Sequence, residues 1–189
     1  VAAASADRGG ERGHGEEGDD NILVSVGGGA AGRALVIAAL QARRGGCLAD
    51  HGWRILAGTS LGDDERAAVQ RDLPPNVVVE RFRHDFAALL RRCHVSVSQA
   101  GYNTVLDVLA AKARAVLVPF AAERETEQLT RAEHLAARGA VVLVRETELT
   151  PAVLARAIER AARGGLSPLA VDTDGARRSA TLIAGLIGR

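Results

Sequence analysis

The stretch SVSQAGYNTVLDVL, Ser96 to Leu109, gathers Ser98, Gln99, Ala100, Gly101, Asn103, Thr104 and Asp107 where an apolar run gives way to a helical pattern. A strand-to-helix turn needs only one cap and one conformationally free residue. Small residues and hydroxyls ahead of a helix start suit an anion, because the first amides are unpaired and carry the positive end of the helix dipole. Asp107 falls about one turn further in, where a carboxylate can accept from two neighbouring hydroxyls. A purely local reading is equally open: Ser98 caps the helix, Asn103 and Thr104 close the turn, and Asp107 complements the dipole.

Two other stretches invite the same question. VGGGAAGR, Val26 to Arg33, follows an apolar run and leads into a helical pattern. Gly27, Gly28 and Gly29 let backbone approach a phosphate, and Gly27, Gly29 and Gly32 fit the G-x-G-x-x-G spacing. That spacing alone is weak. A dinucleotide-binding domain should also place an acid after its second strand, whereas here the chain reads AGTSLG, and Asp63 and Asp64 look like acids of a helix's first turn. VPFAAERETEQLTRAEHL, Val118 to Leu135, sets Glu127 and Gln128 at another helix start beyond a strand.

The elements that must position these loops alternate regularly. Strands are expected at 22–26, 53–58, 76–82, 94–98, 115–120 and 140–144. Helices are expected at 32–44, 63–71, 85–92, 102–111, 126–138 and 150–163, with Thr150 as N-cap and Pro151 in the first turn of the last of these. A further helix is expected near 176–187. Apolar runs without clean alternation, such as ILVSV, indicate strands covered on both faces. The pattern predicts an α/β fold, a Rossmann-like doubly wound parallel sheet of about six strands. Ligands of such sheets sit beyond the carboxyl ends of the strands, so the three loops share one edge. Together they suit a diphosphate flanked by sugars.

Composition narrows the classes. At 189 residues the chain suits one domain, and 47% apolar with 25% charged residues suits a globular protein. A net charge of +1 and 3% aromatics argue against a nucleic-acid partner. Cys47 and Cys93 read as free thiols of a reducing compartment. No run approaches the length of a membrane span, and no signal peptide is recognised. Residues 1–20, rich in glycine and charge, read as a disordered leader or linker, with the folded domain at 21–189. The pair Asp172 and Asp174 resembles a metal-binding DxD but lies in a C-terminal loop, and no metal site is expected.

The order VGGG, VxxRFRxDF, SQAGYNTVLDVLAA, VLVPF and ETEQLTRAEHLAARGA resembles the C-terminal, donor-binding domain of glycosyltransferase family 28, over about Asn21 to Arg163. The resemblance implies the C-terminal half of a GT-B fold. It implies an inverting, metal-independent hexosyl transfer from a nucleotide sugar, with a UDP-sugar such as UDP-N-acetylglucosamine as donor and no cofactor. Position by position, it implies that Gly27 to Gly29 approach the diphosphate and that Phe82 and the backbone of Arg83 hold the base. Ser98 to Thr104 would bind the diphosphate at the helix start. Asp107, where the family usually has glutamate, would take the ribose hydroxyls, and Glu127 and Gln128 the transferred sugar. Arg131 stands where the family has an asparagine, and Lys112 and Arg114 replace glycine and proline.

The general base is expected outside this chain, in an acceptor domain that about 20 leading residues cannot supply. The expectation is then a fragment, or one subunit of a split enzyme whose partner is membrane-associated. That would place it in the cytoplasm, peripheral to the inner face of the membrane. The alternatives are an NAD-type dinucleotide-binding module, resting on the glycine spacing, and a sugar-nucleotide epimerase fragment.

Overall fold

The computed structural model describes residues 21–27, 30–120 and 126–166. The expected leader at 1–20, the residues Gly28 and Gly29, the Asp172–Asp174 pair and the helix expected near 176–187 lie outside the described residues.

Strands and helices alternate throughout: β1 (Ile22–Ser25), α1 (Ala30–Arg44), β2 (Trp53–Leu56), α2 (Asp63–Gln70), β3 (Val77–Glu80), α3 (Phe86–Arg92), β4 (Val95–Ser98), α4 (Tyr102–Ala110), β5 (Ala115–Leu117), α5 (Glu127–Ala137), β6 (Val142–Leu143) and α6 (Pro151–Ala162). A single 3-10 turn, Glu146–Glu148, precedes α6. The six strands form one sheet in the order β3-β2-β1-β4-β5-β6, with every neighbouring pair parallel. This is the doubly wound sheet that the alternation predicts.

The strands alternate between two apolar layers. Ile22 and Val24 of β1, Ile55 of β2 and Val95 and Val97 of β4 pack with Leu35, Val36, Leu154 and Ile158 of α1 and α6. Leu23, Leu56 and Leu117 turn to the other face, against Leu89 and Leu90 of α3, Val105 and Val108 of α4 and Leu135 of α5. Each strand therefore needs apolar residues at both parities, which is why the runs do not alternate in sequence. β4 is the exception. Ser96 and Ser98 lie buried between Val95, Val97 and Ala100, and their hydroxyls have no protein partner.

Most elements are shorter at their ends than the sequence suggests. β2 stops at Leu56 because the chain turns at Gly58, whose φ is +56°. β5 stops at Leu117, two residues before Pro119, which has no amide to donate to a ladder. β3 departs from full coverage, since it is an edge strand with Val78 exposed and Val77 and Val79 buried. Its carbonyl at Val79 accepts from the side-chain amide of Gln70 on α2, at 3.2 Å. Thr150 caps α6 by accepting from the Val153 amide at 3.2 Å, with Pro151 in the first turn.

The loop after β3 is anchored by charge. Arg54, buried on β2, pairs with Glu80 at the end of β3. Glu80 lies 3.6 Å from Arg83, and Arg83 makes two parallel bonds of 2.9 Å to Asp85. These bonds hold the Asp85 carboxyl at about 2, below its ordinary 3.8. A lowered carboxyl favours the folded loop above the ordinary carboxylate range, and that contribution is lost as pH falls from about 4 toward 2. By carbon-detected NMR the Asp85 carboxyl should titrate with a midpoint of about 2, and Arg83→Ala should return it toward 3.8.

α1 lies close against the sheet because Gly32 has no side chain. A Cβ there would sit 2.7 Å from the Gly27 carbonyl oxygen and 2.9 Å from the Ser60 Cβ. An exposed Gly→Ala change inside a helix ordinarily stabilises by about 1 kcal/mol. Gly32→Ala should reverse that sign and cost about 1–3 kcal/mol as an overpacked contact, read from the midpoint of urea unfolding.

Candidate functional site

The order of strands reverses between β1 and β4, which pair in register from Ile22–Val95 to Ser25–Ser98. α1 leaves β1 toward one face and α4 leaves β4 toward the other. Divergence of the two connections opens a crevice at the carboxyl edge. A cavity of about 620 Å³ lies there, lined by Ser25, Val26 and Gly27 after β1, Ala31 of α1, Leu56 and Gly58 after β2, and Arg81, Phe82, Arg83 and Phe86 after β3. Gln99, Gly101 and Thr104 from the β4–α4 corner, Phe120 and Gln128 complete the wall.

Side-chain amides tie these loops together. The Gly27 amide donates to Gln99 Oε1 at 2.9 Å, bridging the crevice between the loops after β1 and β4. The Phe120 amide donates to Gln128 Oε1 at 3.2 Å, joining the segment after β5 to the first turn of α5. Gly101 is the N-cap of α4, and no side chain caps that helix. Val105 donates the first intrahelical bond, to Gly101 O at 2.9 Å. The amides before it are those a helix start leaves without an intrahelical partner, and Gly101 and Thr104 bring that turn to the cavity wall.

The local alternative for the polar corner does not hold in one respect. Ser98 does not cap α4; it is the last residue of β4, fully buried, with its hydroxyl unpartnered. Ala100 is also fully buried. Among the expected site residues, Gly27, Phe82, Arg83, Gln99, Gly101, Thr104 and Gln128 line the cavity. Ser98, Ala100, Asn103, Asp107 and Glu127 lie outside its lining, with Asn103, Asp107 and Glu127 exposed. Asp107 is three residues beyond Thr104, hence on the same face of α4.

Three lining residues stand in the stretches that carry the resemblance but are assigned no role by it: Arg81, Phe86 and Phe120. A signal for two of them was available in composition. The chain has three phenylalanines, Phe82, Phe86 and Phe120, and all three line this cavity. Phe82 is 63% exposed, a large apolar ring at the mouth that the core does not use.

The wall is positive. Among the described residues its charged groups are Arg81 and Arg83, and no carboxylate lines it. Arg83 is committed to Asp85 and Glu80, while among the described residues Arg81 approaches Asp63 alone, at 3.8 Å between exposed side chains. Among the described residues no group of three or more His, Cys, Asp or Glu is placed to hold a metal ion. The thiols of Cys47 and Cys93 are both pushed up to about 11 by burial, away from reactive range. No helix among the described residues is long and apolar enough to cross a membrane.

Comparison with known proteins agrees with this geometry. A UDP-N-acetylglucosamine--N-acetylmuramyl-(pentapeptide) pyrophosphoryl-undecaprenol N-acetylglucosamine transferase of Prochlorococcus marinus (strain NATL1A) is 27% identical over 128 residues. The match takes in 67% of this chain and 36% of that relative, so the chain spans about a third of its length. The crystal structure of the calicheamicin glycosyltransferase superposes with a TM-score of 0.60 at 26% identity, covering 78% of this chain and 35% of the other. MurG of Acinetobacter baumannii superposes with a TM-score of 0.58 at 24% identity, covering 76% and 44%, a likeness of fold. These neighbours are GT-B glycosyltransferases, and the present sheet corresponds to part of each. Residues 22–185 match the glycosyltransferase family 28 C-terminal domain, and the chain belongs to that family.

Proposed function

We propose that this chain is the nucleotide-sugar-binding half of an inverting, metal-independent glycosyltransferase that moves a hexosyl group from a UDP-sugar, such as UDP-N-acetylglucosamine, to an acceptor hydroxyl. The observation that carries the reading is the cavity at the strand-order reversal, walled by the start of α4, by arginines and by all three phenylalanines, with no carboxylate among the described lining residues. A wall whose described charges are arginines suits a diphosphate, and the exposed ring of Phe82 suits a base. The name of the Prochlorococcus marinus relative supports UDP-N-acetylglucosamine as the donor to test first.

In this reading Gly27 and the first turn of α4 receive the diphosphate. Phe82 and Phe86 cover the base beside the Arg83 backbone. Asp107 takes the ribose hydroxyls from the Thr104 face of α4, and Glu127 and Gln128 meet the transferred sugar. The acceptor oxygen attacks the anomeric carbon from the face opposite the diphosphate. The carbon–oxygen bond to the diphosphate breaks, both electrons leave with the nucleoside diphosphate, and the anomeric centre inverts. The acceptor's proton passes to a general base contributed by an acceptor-side domain or partner subunit, peripheral to the membrane's inner face. The α4 dipole and Arg81 stabilise the departing charge, the task for which a metal-free site needs a fixed positive field.

A pyridine-dinucleotide module finds less support. The residues after β2 are Ala57, Gly58, Thr59 and Ser60, with no acid for a ribose, and the Ser60 hydroxyl is spent on the Ala57 carbonyl at 2.6 Å.

Calorimetric titration with UDP, UDP-N-acetylglucosamine, dTDP and NAD tests the reading. UDP and its sugar should bind and NAD should not. Phe82→Ala, at an exposed ring outside the core, should weaken UDP by about tenfold, in line with the ~1–3 kcal/mol of an aromatic–base stack. Gln128→Ala should weaken the nucleotide sugar more than UDP. Binding of NAD alone, or UDP binding indifferent to Phe82→Ala, would overturn the assignment.

A further inference from the structure

Arg131, in the second turn of α5, makes contacts that its own helix does not explain. Its Nη2 donates to Glu127 Oε1, an ordinary pair four residues apart. Its Nη1 donates to the carbonyl of Ala100 at 2.8 Å, 31 residues away in the turn before α4. Its guanidinium carbon lies 5.4 Å from the centre of the Tyr102 ring, the first residue of α4. The Arg131 side chain is 20% exposed, against 77% for Glu127. The carbonyl it holds belongs to the residue before the α4 N-cap. Fixing that peptide fixes the direction of the amides that follow. Three residues nearer the helix start, Gln128 holds the Phe120 amide, so the start of α5 is tied on two sides.

We propose that Arg131 is a positioning residue that couples the two ends of the donor site. It ties the corner proposed to read the diphosphate to the helix start proposed to read the sugar. The coupling rests on the donor-site reading above and extends it. Arg131 touches neither ligand itself; it presents the α4 amides in one direction and holds Glu127 in one place. A planar guanidinium with two donors in a fixed fork, and a face for an aromatic ring, does all three tasks at once. Lysine, a single point charge, does one of them. The sugar then binds to a corner already ordered, and its share of the affinity depends on the latch.

Calorimetry with UDP and with UDP-N-acetylglucosamine, on the full chain and on Arg131→Ala, Arg131→Lys and Glu127→Gln, tests this. Amide exchange of residues 101–104 in the free protein runs alongside. Arg131→Ala should weaken UDP by about tenfold, the effect of losing a charge-assisted hydrogen bond, and the nucleotide sugar by a larger factor. Arg131→Lys should not restore the ratio between the two ligands. Glu127→Gln, which leaves the Ala100 bond intact, should reduce only the sugar's share. Exchange at 101–104 should quicken in Arg131→Ala. Equal loss for both ligands, or none, would overturn the coupling. Should the unaltered chain bind neither compound, the donor-site reading and the coupling would fall together. In that event, quickened exchange would show that the latch itself stands, and unchanged exchange that it does not.

Discussion

The pairing of β1 with β4 is the constraint from which the site follows. Two parallel strands lie side by side with Ser25 opposite Ser98, yet the helices that follow them must cover opposite faces of the sheet. The chain therefore parts at this one place along the edge, and no side chain from the core can fill the gap. What closes it partway is polar and local. The Gln99 side-chain oxygen accepts from the Gly27 amide across the gap, and Gly32 lets α1 settle low enough that Gly27 forms part of the near wall.

The far wall is held by a different kind of force. The loop after β3 carries Arg81, Phe82 and Arg83 and leads into Phe86, the first residue of α3, and its one large apolar ring, Phe82, stands exposed. A chain of alternating charge, Arg54 to Glu80 to Arg83 to Asp85, fixes it instead. Burying Arg54 carries a desolvation penalty, and such pairs add little net stability. Their value here is directional. Removing one member would leave an opposite charge stranded, so the loop has one satisfactory arrangement. The rings of Phe82 and Phe86 inherit that arrangement.

Element order and type were legible because each strand and helix carries its own period, and the glycines, prolines and N-caps punctuate them. Ends were less so. Gly58 and Pro119 stop ladders earlier than an apolar run suggests, and β3 keeps Val78 although its outward face is open. In the site, the glycine turn and the polar corner announced themselves by residue type. Arg81, Phe86 and Phe120 did not, because a single arginine or phenylalanine in a loop looks the same whether it faces solvent or a ligand. Ser98 was misleading for a physical reason. A hydroxyl one turn before a helix resembles a cap in one dimension, but the alternation of β4 directs it into the buried layer beside Leu117. Arg131 read as a departure from a familiar pattern, and only the fold brings Ala100 and Tyr102 to it.

The two open margins of the sheet are unlike, yet both resist being extended by a foreign strand. β6 is only two residues long, too little ladder to template another chain. β3 is longer and displays an exposed valine, the combination that invites self-association. There the Gln70 amide already occupies the Val79 carbonyl, so an incoming backbone must first displace it. Polymerisation through strand addition is thereby opposed at one margin by brevity and at the other by a single side chain on α2. Among the described residues the sheet can in this way end in two unpaired margins without becoming the seed of a fibre.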